Sequence, residues 1–180
     1  MNLERLDIGH RNRTPFIVEF MTAPQTELAI REFRPGDETA FRKLNEEWIV
    51  RYFALEPEDE AALQNPQEKI LHPGGRIFFA ALAGEIVGCC ALKPIAAREY
   101  EVVKMAVAER HRGAGIGRRV LEAVIEGART LRARRLYLET NHSLANAIHL
   151  YESVGFRHLP PERVVPSPYS RADVYMELYL

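Results

Sequence analysis

The stretch Y-E-V-V-K-M-A-V-A-E-R-H-R-G-A-G-I-G-R-R, residues Tyr100–Arg119, decides the fold predicted for this chain. It begins as an extended apolar run, passes through a basic loop and continues into an amphipathic helix. Gly113, Gly115 and Gly117 leave backbone N–H groups unshielded at the N-terminus of that helix, where unpaired donors and the helix dipole favour an anion. We therefore interpret this stretch as a cradle for a pyrophosphate group.

The charge of the chain is balanced overall but uneven along the sequence. The 24 Lys and Arg residues against 25 Asp and Glu give a net charge of −1, which offers no argument for nucleic acid. Residues 110–135 are nevertheless rich in arginine, and this favours a local anionic ligand over a polyanionic partner. The arginines that flank the glycines and suit phosphate oxygens are Arg110, Arg112, Arg118 and Arg119. Apolar runs stay shorter than a membrane span, so we expect neither a nucleic-acid nor a membrane partner.

The two cysteines, Cys89 and Cys90, are adjacent in an apolar run. Their spacing offers neither a disulfide framework nor a metal site, and it favours buried thiols on a strand. We expect a protein of the reducing cytoplasm that needs no metal.

The chain of 180 residues predicts one α/β domain, residues 26–180, preceded by an N-terminal arm, residues 1–25. After a first strand, Asp37 is expected to cap a helix. The predicted buried stripe of this helix is Phe41, Leu44, Trp48 and Tyr52. A second short helix is expected to begin near Asn65 and to end at residues 72–75.

The rest of the chain alternates strands with two helices. A hairpin turn at Ala83–Gly84 joins two strands, and a third strand follows Pro94. The glycine helix then leads to a strand at residues 135–140. Because a helix connects them, this strand must pair in parallel with the third strand. Ser143 is expected to cap a last helix that stops at Gly155, and two further strands close the sheet. The expected fold is a mixed, mostly antiparallel sheet of about six to seven strands flanked by about four helices.

The glycine pattern taken alone leaves a second interpretation open. A dinucleotide-binding fingerprint requires G-x-G-x-x-G directly after a strand, and here Arg118 stands in place of the third glycine. Glu139 does end the next strand, near the position of a ribose-binding acid. A P-loop does not fit, because no G-K-[ST] follows.

Two motifs together resemble the GNAT superfamily of acyl-CoA-dependent N-acyltransferases. R-G-A-G-I-G at Arg112–Gly117 matches the R/Q-x-x-G-x-G/A signature of that family. N-A-I-H-L-Y-E-S-V-G-F at 146–156 is similar to its N-x-x-A-x-x-x-Y-x-x-x-G-F segment, with Ala147 one place early. The similarity in element order extends from about Leu28 to Leu180.

The resemblance implies acetyl-CoA as co-substrate. The strand before the loop would present main-chain groups to the pantetheine arm, with a backbone N–H near Val107 on the thioester carbonyl. Asn146 would bind the pantetheine or its cysteamine end, although a polar residue at a helix start explains it equally well. The full set of expected cofactor-binding residues is Met105, Ala106, Val107, Arg112, Gly113, Ala114, Gly115, Ile116, Gly117, Arg118, Asn146 and Tyr151.

Tyr151 is the expected general acid, because a phenol is protonated at neutral pH and can donate a proton to the departing thiolate. The competing interpretation is an aromatic side chain packed in the core. Glu101 is the expected base for the incoming amine, and strict alternation would place it on the strand face of Val103, Met105 and Val107 unless a bulge intervenes. A solvated strand-end carboxylate is the alternative, and Glu139, His142 or a water chain are substitutes for the base.

The acceptor is not identified by the sequence. Trp48, Tyr52 and Phe53 can line a pocket or form core, and Glu46, Glu47 and the acidic turn 56–60 can attract a cationic amine or form a solvated face. The expected function is N-acetylation of a primary amine, on a small molecule or a peptide, by direct attack. A non-catalytic acyl-CoA-binding or sensing module is the alternative, and a homodimer is open.

Overall fold

The structure is a computed structural model that describes residues 27–180, so the expected N-terminal arm lies outside the described residues. Its seven strands form one sheet in the order β1-β2-β3-β4-β5-β7-β6. The strands are β1 Ala29–Glu32, β2 Arg76–Leu82, β3 Glu85–Ala96, β4 Glu99–Val107, β5 Arg135–Thr140, β6 Arg157–His158 and β7 Val174–Tyr179. The α-helices are α1 Glu38–Tyr52, α2 Pro57–Gln64, α3 Ile116–Thr130 and α4 Ala145–Ser153.

The pairing of the strands confirms the predicted fold class. Neighbouring strands are antiparallel throughout except β4 and β5, which run parallel as the helical crossover between them requires. The turn between β2 and β3 falls at Ala83 and Gly84, both with positive φ, as the hairpin signal predicted.

Two apolar cores cover the two faces of the sheet. The apolar stripe of α3 packs on one face, around Val120, Val124 and Ala128. On the other face α1 and the residues after it bury Phe41, Ile49, Leu63, Ile70 and Phe79. Because both faces of the central strands are covered, residues of β3 such as Cys89 and Cys90 are fully buried, as expected of strand thiols.

The second helix begins earlier than predicted. α2 starts at Pro57, because the carboxylates of Glu56 and Asp59 each accept the other residue's backbone N–H and so cap the first turn. The segment expected to be this helix, beginning near Asn65, forms only a single wide turn at Gln67–Leu71. The acidic turn is therefore a helix start.

The residues predicted to cap α1 and α4 make no cap hydrogen bond. Asp37 does precede α1, but its carboxylate binds the Arg31 guanidinium at 2.6 and 2.8 Å and the N–H of Arg34, so it makes no cap hydrogen bond. The Ser143 hydroxyl donates to Asn141 Oδ1 at 2.6 Å and does not cap α4. In both cases a nearby polar partner competes successfully with the helix amides.

The buried stripe of α1 also differs from the prediction in part. Phe41 and Leu44 are buried as predicted, whereas Tyr52 is 49% exposed. Asn45 and Ile49 occupy the buried positions that the predicted stripe omitted. The Asn45 side chain is satisfied there because its amide donates to Phe41 O at 2.9 Å.

A bulge in β4 reverses the alternation of its side chains. Lys104 has φ +54°, and the register with β3 shifts at the same place. Beyond the bulge Met105 and Val107 pack with α3, whereas Val103 lies on the α1 side. Glu101 therefore does not share a face with Met105 and Val107, and the expectation from strict alternation is wrong.

The end of α4 confirms its predicted stop signal. Gly155 has φ +104°. The N–H of Phe156 donates to Tyr151 O and the N–H of Gly155 donates to Glu152 O, which is the pattern of a left-handed C-cap. The ring of Phe156 is buried at 6.0 Å from the ring of Tyr151. This cap fixes the direction of the Tyr151 side chain.

Candidate active site

A cavity of about 880 Å³ lies where β4 and β5 separate, between the N-terminus of α3, α4 and the end of α1. Both expected catalytic residues, Glu101 and Tyr151, line it. It is also lined by Met105, Ala106, Val107, Arg112, Gly113, Gly115, Ile116, Gly117, Arg118 and Asn146. Ala114, the remaining residue of the expected cofactor set, is exposed and is not among the lining residues.

The open edge of β4 presents main-chain groups to this cavity. The pairing of β4 with β5 ends at Glu101 and Tyr137, although β4 continues to Val107. Because Ala108 N–H donates to Val87 O on the β3 side, the antiparallel alternation turns the N–H and C=O of Val107 towards the gap. The strand therefore separates from its neighbour as the resemblance implied.

The N-terminus of α3 supplies amide donors at the other end of the cavity. Gly113 and Gly115 have φ of +81° and +76°, a conformation that costs other L-residues free energy. The first backbone hydrogen bond of the helix runs from Arg119 N–H to Gly115 O, so the preceding amides have no intrahelical acceptor. Gly117 allows close packing, since a Cβ there would lie 3.3 Å from Leu150 and 3.4 Å from Met105. These amides and the helix dipole suit an anion such as a diphosphate.

Only two of the four arginines near the glycines line the cavity. Arg112 Nε donates to Val107 O at 3.2 Å, and Arg118 donates to Ser153 Oγ at 2.6 Å. Arg110 forms an ion pair with Glu85, and Arg119 donates to Leu28 O. The expectation that all four surround the anion site is therefore wrong.

Tyr151 combines core packing with access to the cavity. The residue is 8% exposed and packs on Phe156, yet it lines the cavity. Burial raises the pKa of its phenol above the ordinary value of 10. The two interpretations of Tyr151 from the sequence are thus compatible, because a buried phenol stays protonated and available as a donor.

Glu101 is a mostly buried carboxyl whose pKa is raised towards neutral pH. Its side chain is 12% exposed, and its nearest cation is Lys93 Nζ at 3.9 Å. Burial raises the pKa of Glu101 to about 7, with Glu139 acting in the same direction and Lys93 and Lys104 opposing it. A carboxylate with this pKa is a far stronger base than a solvated one.

The residues named as substitutes for the base have different positions. Glu139 lines the cavity and accepts hydrogen bonds from the hydroxyls of Tyr137, at 3.0 Å, and Ser167. His142 is exposed, pairs with Asp173 and is not among the lining residues. Glu139 is therefore placed near the chemistry and His142 is not.

A buried ionic cluster in the cavity wall was missed by sequence reasoning. It lies at the end lined by Lys104, Tyr169 and Arg171, which we call the acceptor end. Lys104 Nζ lies 2.6 Å from Asp59 Oδ1, and Arg171 binds both oxygens of Asp59 at 2.7 and 2.8 Å. Burial disfavours the ionised carboxyl, but hydrogen bonds from Arg171 and Lys104 hold the pKa of Asp59 below its usual value. Tyr169 packs against both cations, at 4.9 and 4.6 Å from its ring centre. The one available signal was a lysine in the middle of an apolar strand.

Only some of the residues expected on the acceptor side line the cavity. Trp48, Tyr52 and Phe53 do line the cavity. Glu46 and Glu47 are not among its lining residues, and Glu56 and Asp59 of the acidic turn are bound to Arg171. Two carboxylates of this turn are therefore already paired with a cation of the protein, and Glu58 and Glu60 are exposed.

Within residues 27–180 no group of three or more His, Cys, Asp or Glu side chains could hold a metal ion. In the same range no helix has the length and apolar character needed to cross a membrane.

Comparison with known proteins defines the class of this fold and site. A model of the acetyltransferase (GNAT) family matches residues 38–156. The fold is that of a GNAT-family acetyltransferase from Staphylococcus aureus Mu50, with a TM-score of 0.77, 19% identity, and 85% and 99% of the two chains covered. The chain belongs to the GNAT acetyltransferase family.

Curated relatives support the same assignment. An uncharacterized N-acetyltransferase, YjgM of Escherichia coli K12, is 33% identical over 48% of this chain and 54% of its own length. The mycothiol acetyltransferase of Acidothermus cellulolyticus is 35% identical over 73% of this chain and 45% of its own. The chain thus spans about half the length of these curated relatives. Among solved structures of this fold, YncA of Salmonella typhimurium is described with its cofactor acetyl-CoA (TM-score 0.65, 19% identity, 84% and 93% of the two chains covered).

Proposed function

We propose that this chain binds acetyl-CoA in the cavity and transfers the acetyl group to a primary amine by direct attack. The observation that carries the proposal is the geometry of one continuous cavity. It joins the free amides before Arg119 to the open edge of β4, and it places Tyr151 and Glu101 along its wall. Bound acetyl-CoA supplies an activated thioester.

The binding residues have separable tasks. The amides of residues 113–118 and the guanidinium groups of Arg112 and Arg118 hold the diphosphate. The outward-facing main chain of Met105 and Val107 binds the pantetheine amides as an added strand would, and Val107 N–H polarises the thioester carbonyl. Asn146, exposed in the first turn of α4, contacts the cysteamine end.

Glu101 and Tyr151 move the protons of the reaction. Glu101 accepts a proton from the acceptor ammonium, and its raised pKa suits this step at neutral pH. The neutral amine nitrogen then forms a bond to the acetyl carbon as the carbon–sulfur bond breaks, and the second proton that this nitrogen loses on becoming an amide passes to solvent. Tyr151 gives its proton to the departing sulfur and is reprotonated from solvent.

The cysteines support direct attack without an enzyme-bound acetyl group. Both are fully buried, and neither is among the lining residues of the cavity. Burial raises the pKa of Cys89 to about 12, which keeps it a poor nucleophile. Two free thiols also support the cytoplasm as the compartment of the reaction.

The test has two steps. Calorimetric titration with acetyl-CoA and, separately, with NAD should show binding of acetyl-CoA alone. Free-thiol release from acetyl-CoA should then depend on an added amine, with the acetylated amine identified by mass spectrometry. Absence of acetyl-CoA binding, or thiol release that no amine accelerates, would refute the proposed function.

A further inference from the structure

Two carboxyl side chains that line the cavity, Glu101 and Glu139, accept no hydrogen bond from a cation within residues 27–180. Glu101 is mostly buried, with only Lys93 Nζ at 3.9 Å. Within residues 27–180 the oxygens of Glu139 accept hydrogen bonds from two hydroxyls, those of Tyr137 and Ser167, and from no cation. Two hydroxyl donors stabilise a carboxylate but do not neutralise its charge.

The cations nearby are already neutralised by other groups. Lys104 and Arg171 both bind Asp59, and Arg171 also binds Glu56 at 3.0 Å. Two positive charges are therefore matched by two negative ones, and the pair Lys104–Asp59 is almost completely buried. Lys93 stands opposite Glu101, so among the described residues the carboxylate of Glu139 is the charge that these cations leave unmatched, and it favours a positively charged ligand.

Aromatic side chains also line the cavity. Trp48, Phe53 and Tyr169 line it, and the rings of Trp48 and Phe53 meet edge to face at 6.3 Å. The loop between β6 and β7 is tied to the start of α2 by Ser170 N–H on Glu56, at 2.8 Å, and by Arg171 on Asp59. These bonds hold the loop against the start of α2 beside the cavity.

The spacing of the carboxylates sets the spacing of the charges that they bind. Glu101 pairs with Tyr137 across the parallel strands, and Glu139 follows two residues later on the same face. Two residues along a strand span roughly 7 Å and neighbouring strands lie about 4.8 Å apart, so the Cα atoms of Glu101 and Glu139 are at least roughly 8 Å apart. We propose that the acceptor is a short aliphatic diamine, with its reacting nitrogen at Glu101 and its second ammonium bound by Glu139. This inference rests on the proposed function and makes Glu139 a specificity-determining residue.

The test compares three amines that share a four-carbon skeleton. Putrescine has an ammonium at the far end, n-butylamine has none, and γ-aminobutyrate has a carboxylate. We expect kcat/KM from thiol release to be about tenfold higher for putrescine than for n-butylamine, with γ-aminobutyrate the poorest acceptor. Glu139→Gln should reduce the putrescine to n-butylamine ratio by about tenfold, mainly through KM. Glu126→Gln, at an exposed position on α3, is the matched control and should keep the ratio.

The outcomes separate this inference from the proposed function. Equal or faster acetylation of γ-aminobutyrate, or an unchanged ratio in folded Glu139→Gln, overturns the assignment of a diamine. If other amines are acetylated and putrescine is not, the diamine inference fails and the acetyltransferase stands. If no amine in a broad panel releases thiol, both fail.

Discussion

The ammonium of Lys104 lies 2.6 Å from Asp59 Oδ1, with the two side chains only 5% and 0% exposed. This contact joins the bulge of β4 to the first turn of α2, and Arg171 completes it from the loop before β7. A central strand, a helix start and a loop on the acceptor side thus share one buried carboxylate.

The first prediction concerns the stability of this cluster. Asp59→Asn removes the counter-ion of Lys104 and Arg171, and we expect the free energy of unfolding in urea to fall by about 3–5 kcal/mol. Lys104→Met should cost less, because Arg171 still binds both Asp59 oxygens. Glu46→Gln breaks an exposed pair with Arg42 and should cost under about 1 kcal/mol. A loss of similar size for Asp59→Asn and Glu46→Gln would contradict a structural role for the cluster.

The second prediction tests the anion site with two glycines of similar geometry. Gly115 and Gly36 both have positive φ, and a Cβ at either would meet no atom within 4 Å. Replacing either by Ala should lower stability by about 1 kcal/mol through backbone strain. Only Gly115→Ala should also weaken acetyl-CoA binding, by roughly tenfold in calorimetry, because it distorts amides that face the cavity. Equal affinities in the two variants would place the diphosphate elsewhere.

The third prediction separates an enzyme from a sensing module. Tyr151→Phe retains the ring that packs on Phe156 and removes only the hydroxyl. We expect kcat to fall by roughly 10²–10³, as for loss of a general acid, with unchanged acetyl-CoA affinity. Tyr179→Phe, at an exposed position outside the cavity lining, is the control. Full turnover in Tyr151→Phe would assign the proton to another donor.

The fourth prediction follows from the raised pKa of Glu101. In the wild type kcat/KM should rise with pH through about 7, where this carboxyl ionises, and Glu101→Gln should remove that limb together with most of the rate. A rise that persists unchanged in the variant would belong to the amine or to another base.

Glu101 also makes stability depend on pH with a definite sign. Its folded pKa, about 7, lies above the ordinary 4.5, so the folded state holds this proton more tightly than the unfolded state does. Its contribution is therefore most favourable below pH 4.5 and is lost as pH rises through 7. Glu101→Gln should consequently stabilise the protein relative to wild type above pH 7, on the order of 2–3 kcal/mol, and have little effect near pH 4. Urea unfolding at both pH values measures the difference, and a destabilised variant above pH 7 would contradict it.

The features that could be predicted from the order of amino acids are those that depend on local geometry. The left-handed glycines before α3, the stop at Gly155 and the hairpin at Gly84 are properties of a few neighbouring residues. These glycines predicted the free amides at the helix N-terminus, the strand–helix–strand order predicted the mixed sheet, and the resemblance to a family predicted Tyr151 at the site. Hydrophobic periodicity supplied the remaining order of elements.

Only the tertiary structure decided which charged groups meet. Lys104 and Arg171 lie 45 and 112 residues from Asp59 along the chain. No local pattern in the sequence encodes their contacts with Asp59. The bulge at Lys104, which moves Glu101 to the acceptor face, is equally non-local because it depends on the register with β3. Local sequence specifies backbone conformation, whereas ion pairing and burial are set by which surfaces the fold brings together, and these determine the acidity of Glu101.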